Sequence, residues 1–374
     1  MTPPLCTSLP RPRVLARTCL AVLALLWVLL APAPSRATAL YTAQRLPGNF
    51  HPADINNAGQ MAGVLYAEGG GIHAALVTDG AVTDLGTFGG TYSYATALNE
   101  SGAVAGNVGT AAGTEHAFLF QYGHMHDLGA GNAIGMNARG DVVGQTGSAT
   151  GAAGFLYHDG SMSAFGHLGA GNIGRATGIN DAGQIVGESN LSVDAQAPTH
   201  PWLYDGGTLH DLGTLANQGV NSAVAINNAG QIAGYSDAGD GRMHAFFYDH
   251  GVMSDLGSFG GRDITIGGMN QLGHVVGTGN TPDGPDVPFI FRDSALVDLN
   301  TLVDPAVGWK ITSALDINDA GQVIAYACRD AQCSAVRLDV ATTVPEPRGA
   351  WLLLPGLLLL ARSRSAPQAR DKQA

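Results

Sequence analysis

Histidine and aspartate are the residues of this chain best suited to chemistry, and both recur at fixed places. Of twelve histidines, His73, His116, His200 and His244 open similar segments: HAALVTDGAVTDLG (73–86), HAFLFQYGHMHDLG (116–129), HPWLYDGGTLHDLG (200–213) and HAFFYDHGVMSDLG (244–257). Asp84, Asp127, Asp211, Asp255 and Asp298 recur near the segment ends. A metal site needs three or four ligands converging on one point, whereas a repeated position spreads its groups one per unit. His124 and His126 lie near His116, but no carboxylate or Cys stands at ligand spacing. A catalytic group is needed once, in one environment, so the repeated His and Asp are expected to hold loops and turns by hydrogen bonding. DINDAG (316–321) and GINDAG (178–183) lack the alternating Asp-x-Asn-x-Asp-Gly order of a calcium loop and suit hairpin Asx-turns. No GxSxG, Walker-type or dinucleotide motif stands in a strand–turn–helix context. The sequence therefore predicts no catalytic residue, no metal and no cofactor.

The elements that place these residues follow from a second motif, hydrophobic-Asn-x-x-Gly-x-apolar-apolar-Gly. It reads INNAGQMAG (55–63), LNESGAVAG (98–106), MNARGDVVG (136–144), INDAGQIVG (179–187), INNAGQIAG (226–234), MNQLGHVVG (269–277) and, altered at its end, INDAGQVIA (317–325). The Asn spacings of 43, 38, 43, 47, 43 and 48 residues fit a propeller or solenoid. Each unit divides into four short strands: an ATAIN-type strand, a tight turn with Asn first and Gly fourth, a GQIVG-type strand, HAFLY, and xDLG. Four-stranded units of about 40–45 residues are propeller blades. With 53 Gly, and no 3.6-residue period, a helical solenoid is excluded. Charged residues at 13% exclude a long solvated helix or coiled coil, and apolar residues at 45% supply a core.

The chain ends decide between a ring and an open array. YTAQRLPG (41–48) aligns with the xDLG strand but precedes the first Asn motif. CSAVRLDV (333–340) aligns with HAFLY, and no fourth strand follows it. Pairing the two predicts an all-β, seven-bladed β-propeller over residues 40–341, with Ala-rich ATAIN innermost; an open β-solenoid is the alternative. Closure would remove exposed strand edges. The HAFLY…xDLG…ATAIN-x-x-GQIVG pattern resembles the HAF-repeat proteins, exported bacterial repeat proteins. The resemblance covers most of 50–340 and implies no particular chemistry. The third and sixth units depart from it at the His position, and the third has Ala164-Phe165-Gly166 in place of DLG.

Residues 1–39 read as a cleavable signal peptide: Arg11, Arg13 and Arg17, then the apolar CLAVLALLWVLLAP, then Ala37-Thr38-Ala39, with cleavage expected after Ala39. An uncleaved anchor is the alternative. At the other end, Val344-Pro345-Glu346-Pro347 precedes a 13-residue apolar run (349–361), too short for a stable span of ~20 residues, and then Arg362 and Arg364. This segment, 342–374, resembles the PEP-CTERM sorting domain, although its tail after the apolar run is longer than usual. The resemblance implies a short C-terminal apolar helix and membrane anchor, recognition by an exosortase-type membrane protease-transpeptidase, and delivery to the surface or exopolysaccharide matrix of a Gram-negative cell. Signal peptidase is the other expected partner. An ordinary tail anchor is the alternative.

Residues 40–345 hold 9 basic and 28 acidic residues, a surface that repels phosphate backbones and excludes nucleic acid. A ligand face is expected on the variable loops that lead into the inner strands and join second to third strands. Tyr92, Tyr94, Arg242, Arg262 and Trp309 offer aromatic and guanidinium groups suited to sugars or an acidic polymer. The expected function is a secreted, cell-surface, non-catalytic binding or matrix module with extracellular polysaccharide as partner; the alternative is an exported glycan-active enzyme. After signal removal only Cys328 and Cys333 remain, flanking a short loop in an oxidising compartment, and a disulfide is expected. Thiol titration of the unfolded, unreduced exported protein should find none reactive; two per chain would remove the bridge.

Overall fold

Among the described residues, short alternating apolar and polar segments, cut by Gly-rich turns, form 28 strands, with one 3-10 turn at Leu299–Thr301. The computed structural model describes residues 41–341 except 68–69, 149–150, 195–196 and 305–307. The signal-like segment 1–39 and the sorting segment 342–374, with Ala37, Ala39, Pro345, Glu346, Pro347, Arg362 and Arg364, lie outside the described residues. One unit shows the pattern of the rest. Asn221–Ile226, Ile232–Asp237, Met243–Asp249 and Val252–Gly257 pair antiparallel in sequence order. The described strands make five such four-stranded sheets and one of eight, in which two consecutive units meet at a single parallel bridge, Ile72–Tyr92. The expected strand order within a unit is the observed one.

The sheet of the last unit takes its fourth strand from the other end of the chain. Tyr41–Arg45 pairs antiparallel with Gln332–Val340, from Tyr41 opposite Val340 to Arg45 opposite Val336. Cys328 and Cys333 face each other across the preceding hairpin and are joined by a disulfide, with Cα atoms 4.0 Å apart. The two-residue turns between third and fourth strands use positive φ at both positions, as at Gly206 (56°) and Gly207 (90°). This type I′ geometry matches the strand twist.

Packing inside each unit explains the Gly that ends the GQIVG strand. Every first strand carries a bulge at the same place, for example between Ala223 and Ala225, which presses its backbone toward the second strand. On the other side the third strand lays an aromatic ring over the same glycine: Phe118 over Gly106, Phe155 over Gly144, Trp202 over Gly187, Phe246 over Gly234 and Phe289 over Gly277. A Cβ on Gly234 would collide with the Ser222 carbonyl and the Phe246 ring together. These aromatic side chains are fully buried. Two units have no ring there: the first places Ala75 opposite and keeps Gly63 under the His51 carbonyl, and the last places Val336 opposite and has Ala325. The glycine is set by the first strand's carbonyl, which a Cβ would strike in all six units that carry it, and in five of them also by the ring.

Exchanging the two residue types should therefore destabilise in both directions. Gly234→Ala should cost about 2–3 kcal/mol by overpacking, and Ala325→Gly about 1 kcal/mol through lost strand rigidity. Equilibrium denaturation checks both, and a neutral Gly234→Ala would contradict the packing described.

Candidate functional site

The repeated Asn is the organising residue of each inner turn. Asn56, Asn99, Asn137, Asn180, Asn227, Asn270 and Asn318 are all buried. At Asn227 the carbonyl accepts Gly230 N–H (3.0 Å) while Asn227 N–H donates to the Gln231 carbonyl (3.0 Å), and Gly230 has φ 77°. This is a type I turn closed by a left-handed glycine. The side-chain Oδ1 accepts the N–H groups of Ala229 and Gln231 (both 3.1 Å), and Nδ2 donates to Gln231 Oε1 (2.8 Å). A second Nδ2 bond leaves the unit and reaches the Asn270 carbonyl at 3.4 Å. The same outward bond runs from Asn56 to Asn99, then to Asn137, Asn180, Asn227, Asn270 and Asn318 in turn. From Asn318 it returns to the Asn56 carbonyl, at 3.0 Å.

The residue after each Asn repeats the gesture at the surface. Its N–H donates to the side chain one unit on: Asn57 to Glu100, Ala138 to Asp181, Asp181 to Asn228, Asn228 to Gln271, Gln271 to Asp319 and Asp319 to Asn57. Glu100 lacks this bond because the next residue in the series is Ala138. Residues of all seven turns line one polar cavity of ≈ 210 Å³. Behind it the first strands of neighbouring units abut: a Cβ on Gly135 would lie 3.1 Å from the Thr177 carbonyl, and one on Gly178 3.2 Å from that of Val224. Small residues suit this crowding.

Two positions break the pattern. Two residues before the Asn the units carry Asp54, Ala97, Gly135, Gly178, Ala225, Gly268 and Asp316. The two aspartates come from the first and last units and both line the cavity. Asp316 Oδ2 accepts Ile55 N–H at 3.1 Å, and Asp54 Oδ2 accepts Leu98 N–H at 2.6 Å. Gly268 leaves the space that the Asp316 carboxyl fills. Burial raises both carboxyls, and the Asp54 charge and hydrogen bond push Asp316 further, well above the ordinary range. Burial raises Asp54 too, opposed by the hydrogen bond from Asp316 and by the two N–H groups. Both shifts favour holding a proton on the pair, and Asp316 is the more strongly raised of the two. Glu100 at the mouth is also raised, by burial first, with Asp319, Asp54 and Asp181 adding to the push.

The repeated histidines and aspartates pair with each other. His73–Asp84, His116–Asp127, His200–Asp211 and His244–Asp255 meet through Nδ1 at 2.7 to 2.9 Å. Each aspartate also accepts the N–H of the glycine two residues on. Asp298 instead caps the 3-10 turn through Asn300 N–H (2.8 Å). In the third unit, where DLG is missing, His158 pairs with Asp141 at 2.6 Å. His124 and His126 are exposed. Among the described residues no group of three or more His, Cys, Asp or Glu is arranged to hold a metal ion, and no helix is long and apolar enough to cross a membrane.

The expected ligand-face residues do not line the central cavity. Tyr92 and Tyr94 stack with centroids 6.3 Å apart, and Tyr94 donates to Glu115 at 2.6 Å; burial first, and then this bond, hold its hydroxyl well above the usual phenol range. Arg242 pairs with Asp240 (2.6 Å), Arg262 is exposed, and Arg329 covers Trp309 at 4.7 Å. Tyr92, Tyr94, Arg262 and Trp309 sit near the starts of inner strands and Arg242 just before the third strand Met243–Asp249, whereas the Asn turns follow the inner strands' ends. Residue type alone did not reveal Asp54 and Asp316; reading down their column of the repeat would have.

No family model matches the chain, and no curated protein matches it. Solved structures do. YCF48 bound to D1 peptide is 13% identical with a TM-score of 0.50, covering 84% of this chain and 99% of that one. A structure from a study of two prolyl endopeptidases is 11% identical with a TM-score of 0.50, over 89% of this chain but only 56% of the other. TolB from Acinetobacter baumannii is 13% identical with a TM-score of 0.45, over 77% and 69%. The chain has a propeller-like, all-β fold. At such identities the likeness speaks for the fold alone.

The raised carboxyls of Asp54 and Asp316 make stability depend on pH. Both native carboxyls titrate above a free aspartate, so their contribution is complete below about pH 4. It is lost as pH rises through the raised values, at most about 1.4 kcal/mol per pH unit for one proton. Asp316→Asn replaces the proton with an amide that can donate to Asp54, while its carbonyl still accepts Ile55 N–H. Between pH 4.5 and 8 the melting temperature of wild type should fall relative to Asp316→Asn. Parallel curves would contradict a proton held on the pair.

Proposed function

We propose that this is an exported, cell-surface protein in which a closed seven-bladed propeller acts as a non-catalytic binding or matrix module. The observation that carries the reading is how the repeated polar groups are used. The four His–Asp pairs, the seven Asn side chains and the acidic groups at the cavity mouth hold turns and neighbouring units, so the repeat supplies a rigid frame. Ring closure is supported by the strand Tyr41–Arg45 completing the last sheet and by the Asn318 bond to Asn56. Export rests on the signal-like residues 1–39, and surface delivery on the resemblance of 342–374 to an exosortase-sorted tail. The net acidity of the repeat region favours an uncharged partner, and extracellular polysaccharide fits that requirement.

The Asp54–Asp316 pair favours a second reading, a glycan-active enzyme, because a carboxylic acid beside a carboxylate is the equipment of acid–base glycoside cleavage. Incubating the purified protein with polysaccharides separates the two. Retention of polymer without new reducing ends is the expected result. Reducing ends that accumulate with time, and stop in Asp316→Asn, would install the enzyme reading.

A further inference from the structure

The fourth unit departs from its neighbours in a second column. Five residues before the Asn, and at its cross-strand partner, the units pair His51 with Val64, Tyr94 with Asn107, Asn132 with Gln145, Ser222 with Tyr235 and Thr265 with Thr278. The fourth unit pairs Arg175 with Glu188, a full charge on each strand. Arg175 Nε lies 2.7 Å from Glu188 Oε1; the guanidinium side chain is 40% exposed and the carboxylate only 15%. Nε and Glu188 Oε2 nevertheless have no hydrogen-bond partner. The charges touch through Oε1, and Glu188 Oε2 is left to accept from an incoming hydroxyl without giving up that contact.

This pair lines a cavity of ≈ 330 Å³ between units, with Gln145 on one side and Tyr235 and Val220 on the other. Ile173 and Val220 stand at its lining with 53% and 55% of their surface exposed, among the few large apolar residues so open. The Tyr235 hydroxyl is held above its ordinary range by burial and then by the Glu188 charge, with Arg175 opposing. Arg175 lies near the start of its inner strand, and the Asn180 turn follows that strand's end, so this cavity is separate from the one ringed by the Asn turns. It opens where the variable loops lead into inner strands.

We propose that the Arg175–Glu188 cavity binds a single neutral pyranose unit, a reading that rests on the proposed glycan-binding function and gives it a site. The cavity is at the small end of ligand pockets, about 300–1,000 Å³, room for one sugar ring. Guanidinium N–H groups donate to ring hydroxyl oxygens, the Glu188 carboxylate accepts from a hydroxyl, and Ile173 and Val220 cover an apolar C–H face. The paired charges cancel, and the surrounding acidity disfavours a uronate. A neutral polyol with one apolar face meets all these conditions.

The test is saturation-transfer NMR of the full-length protein with methyl glycosides of glucose, galactose and mannose, and methyl glucuronoside as the charged comparator. Transfer to at least one neutral glycoside, stronger than to the glucuronoside, is expected. Arg175→Gln should weaken that binding tenfold or more. Val220→Asp, at an exposed position, should do the same with an unchanged melting temperature, and Lys310→Gln, at an exposed position outside the cavity, should leave it intact. Binding that survives Arg175→Gln and Val220→Asp, preference for the glucuronoside, or no transfer from any neutral glycoside would each overturn the site. If polysaccharide is still retained in that case, only the site falls; if retention fails too, the binding function falls with it.

Discussion

A buried primary amide, used at every one of its hydrogen-bonding positions, is what the rest of this structure depends on. Asn227 illustrates the requirement. Two acceptor bonds and one donor bond shape its own turn, and the remaining donor holds the next unit. An aspartate in its place would lose both donors and bury a charge; a glutamine would shift the amide by a methylene. Leaving such a group unpaired costs about 1–3 kcal/mol, so turn shape and the junction between units are specified by one residue. Local and long-range order cannot vary separately there, which is why the spacing between asparagines wanders from 38 to 48 residues while the turn does not.

The second constraint is the glycine squeezed between a bulged strand and an aromatic ring. It makes the bulge and the ring interdependent: the bulge brings the first strand's carbonyl to the glycine, and the ring needs a flat backbone beneath it. Where the ring is absent the carbonyl alone can still require glycine, as at Gly63 opposite Ala75, while Ala325 stands opposite Val336. Trp202 fills the aromatic place with a larger ring whose Nε1 has no partner, a defect the other four rings avoid. Variation therefore collects in the loops, and the frame that carries them stays fixed.

Much of this was legible in the residues because a repeat samples the same physics several times. Strand order, the Asn–Gly turn and the place of Tyr41–Arg45 in the last sheet all follow from period and pattern. The same repetition concealed the exceptional positions. Asp54 and Asp316 are 262 residues apart, and each looks like an ordinary turn residue; only placing the first unit beside the last sets their carboxyls together. Arg175 and Glu188 were hidden for the same reason. Tyr94 and Arg242 drew attention as exposed recognition groups, yet each has a carboxylate of its own nearby, Glu115 and Asp240, which residue type could not reveal.

The junction between the first and last units differs in kind from those between consecutive units. Elsewhere the chain runs on from one unit to the next, so losing a few hydrogen bonds leaves the two tethered. Here only non-covalent bonds act: the strand Tyr41–Arg45 on Gln332–Val340, His51 to Tyr326 at 2.6 Å, Asn318 to Asn56, and Asp316 to the backbone of Ile55. Placing the Asp54–Asp316 pair at this one junction makes its strength depend on a proton, since two bare carboxylates facing each other repel in a crowded channel. No cationic side chain lines the cavity to relieve them. The disulfide at Cys328–Cys333 closes the hairpin that carries Gln332–Val340, so the strand receiving the N-terminal segment is stiffened on the side away from the cavity. The disulfide thus stiffens one partner of the junction without crossing it, while the aspartate pair leaves the junction itself sensitive to pH.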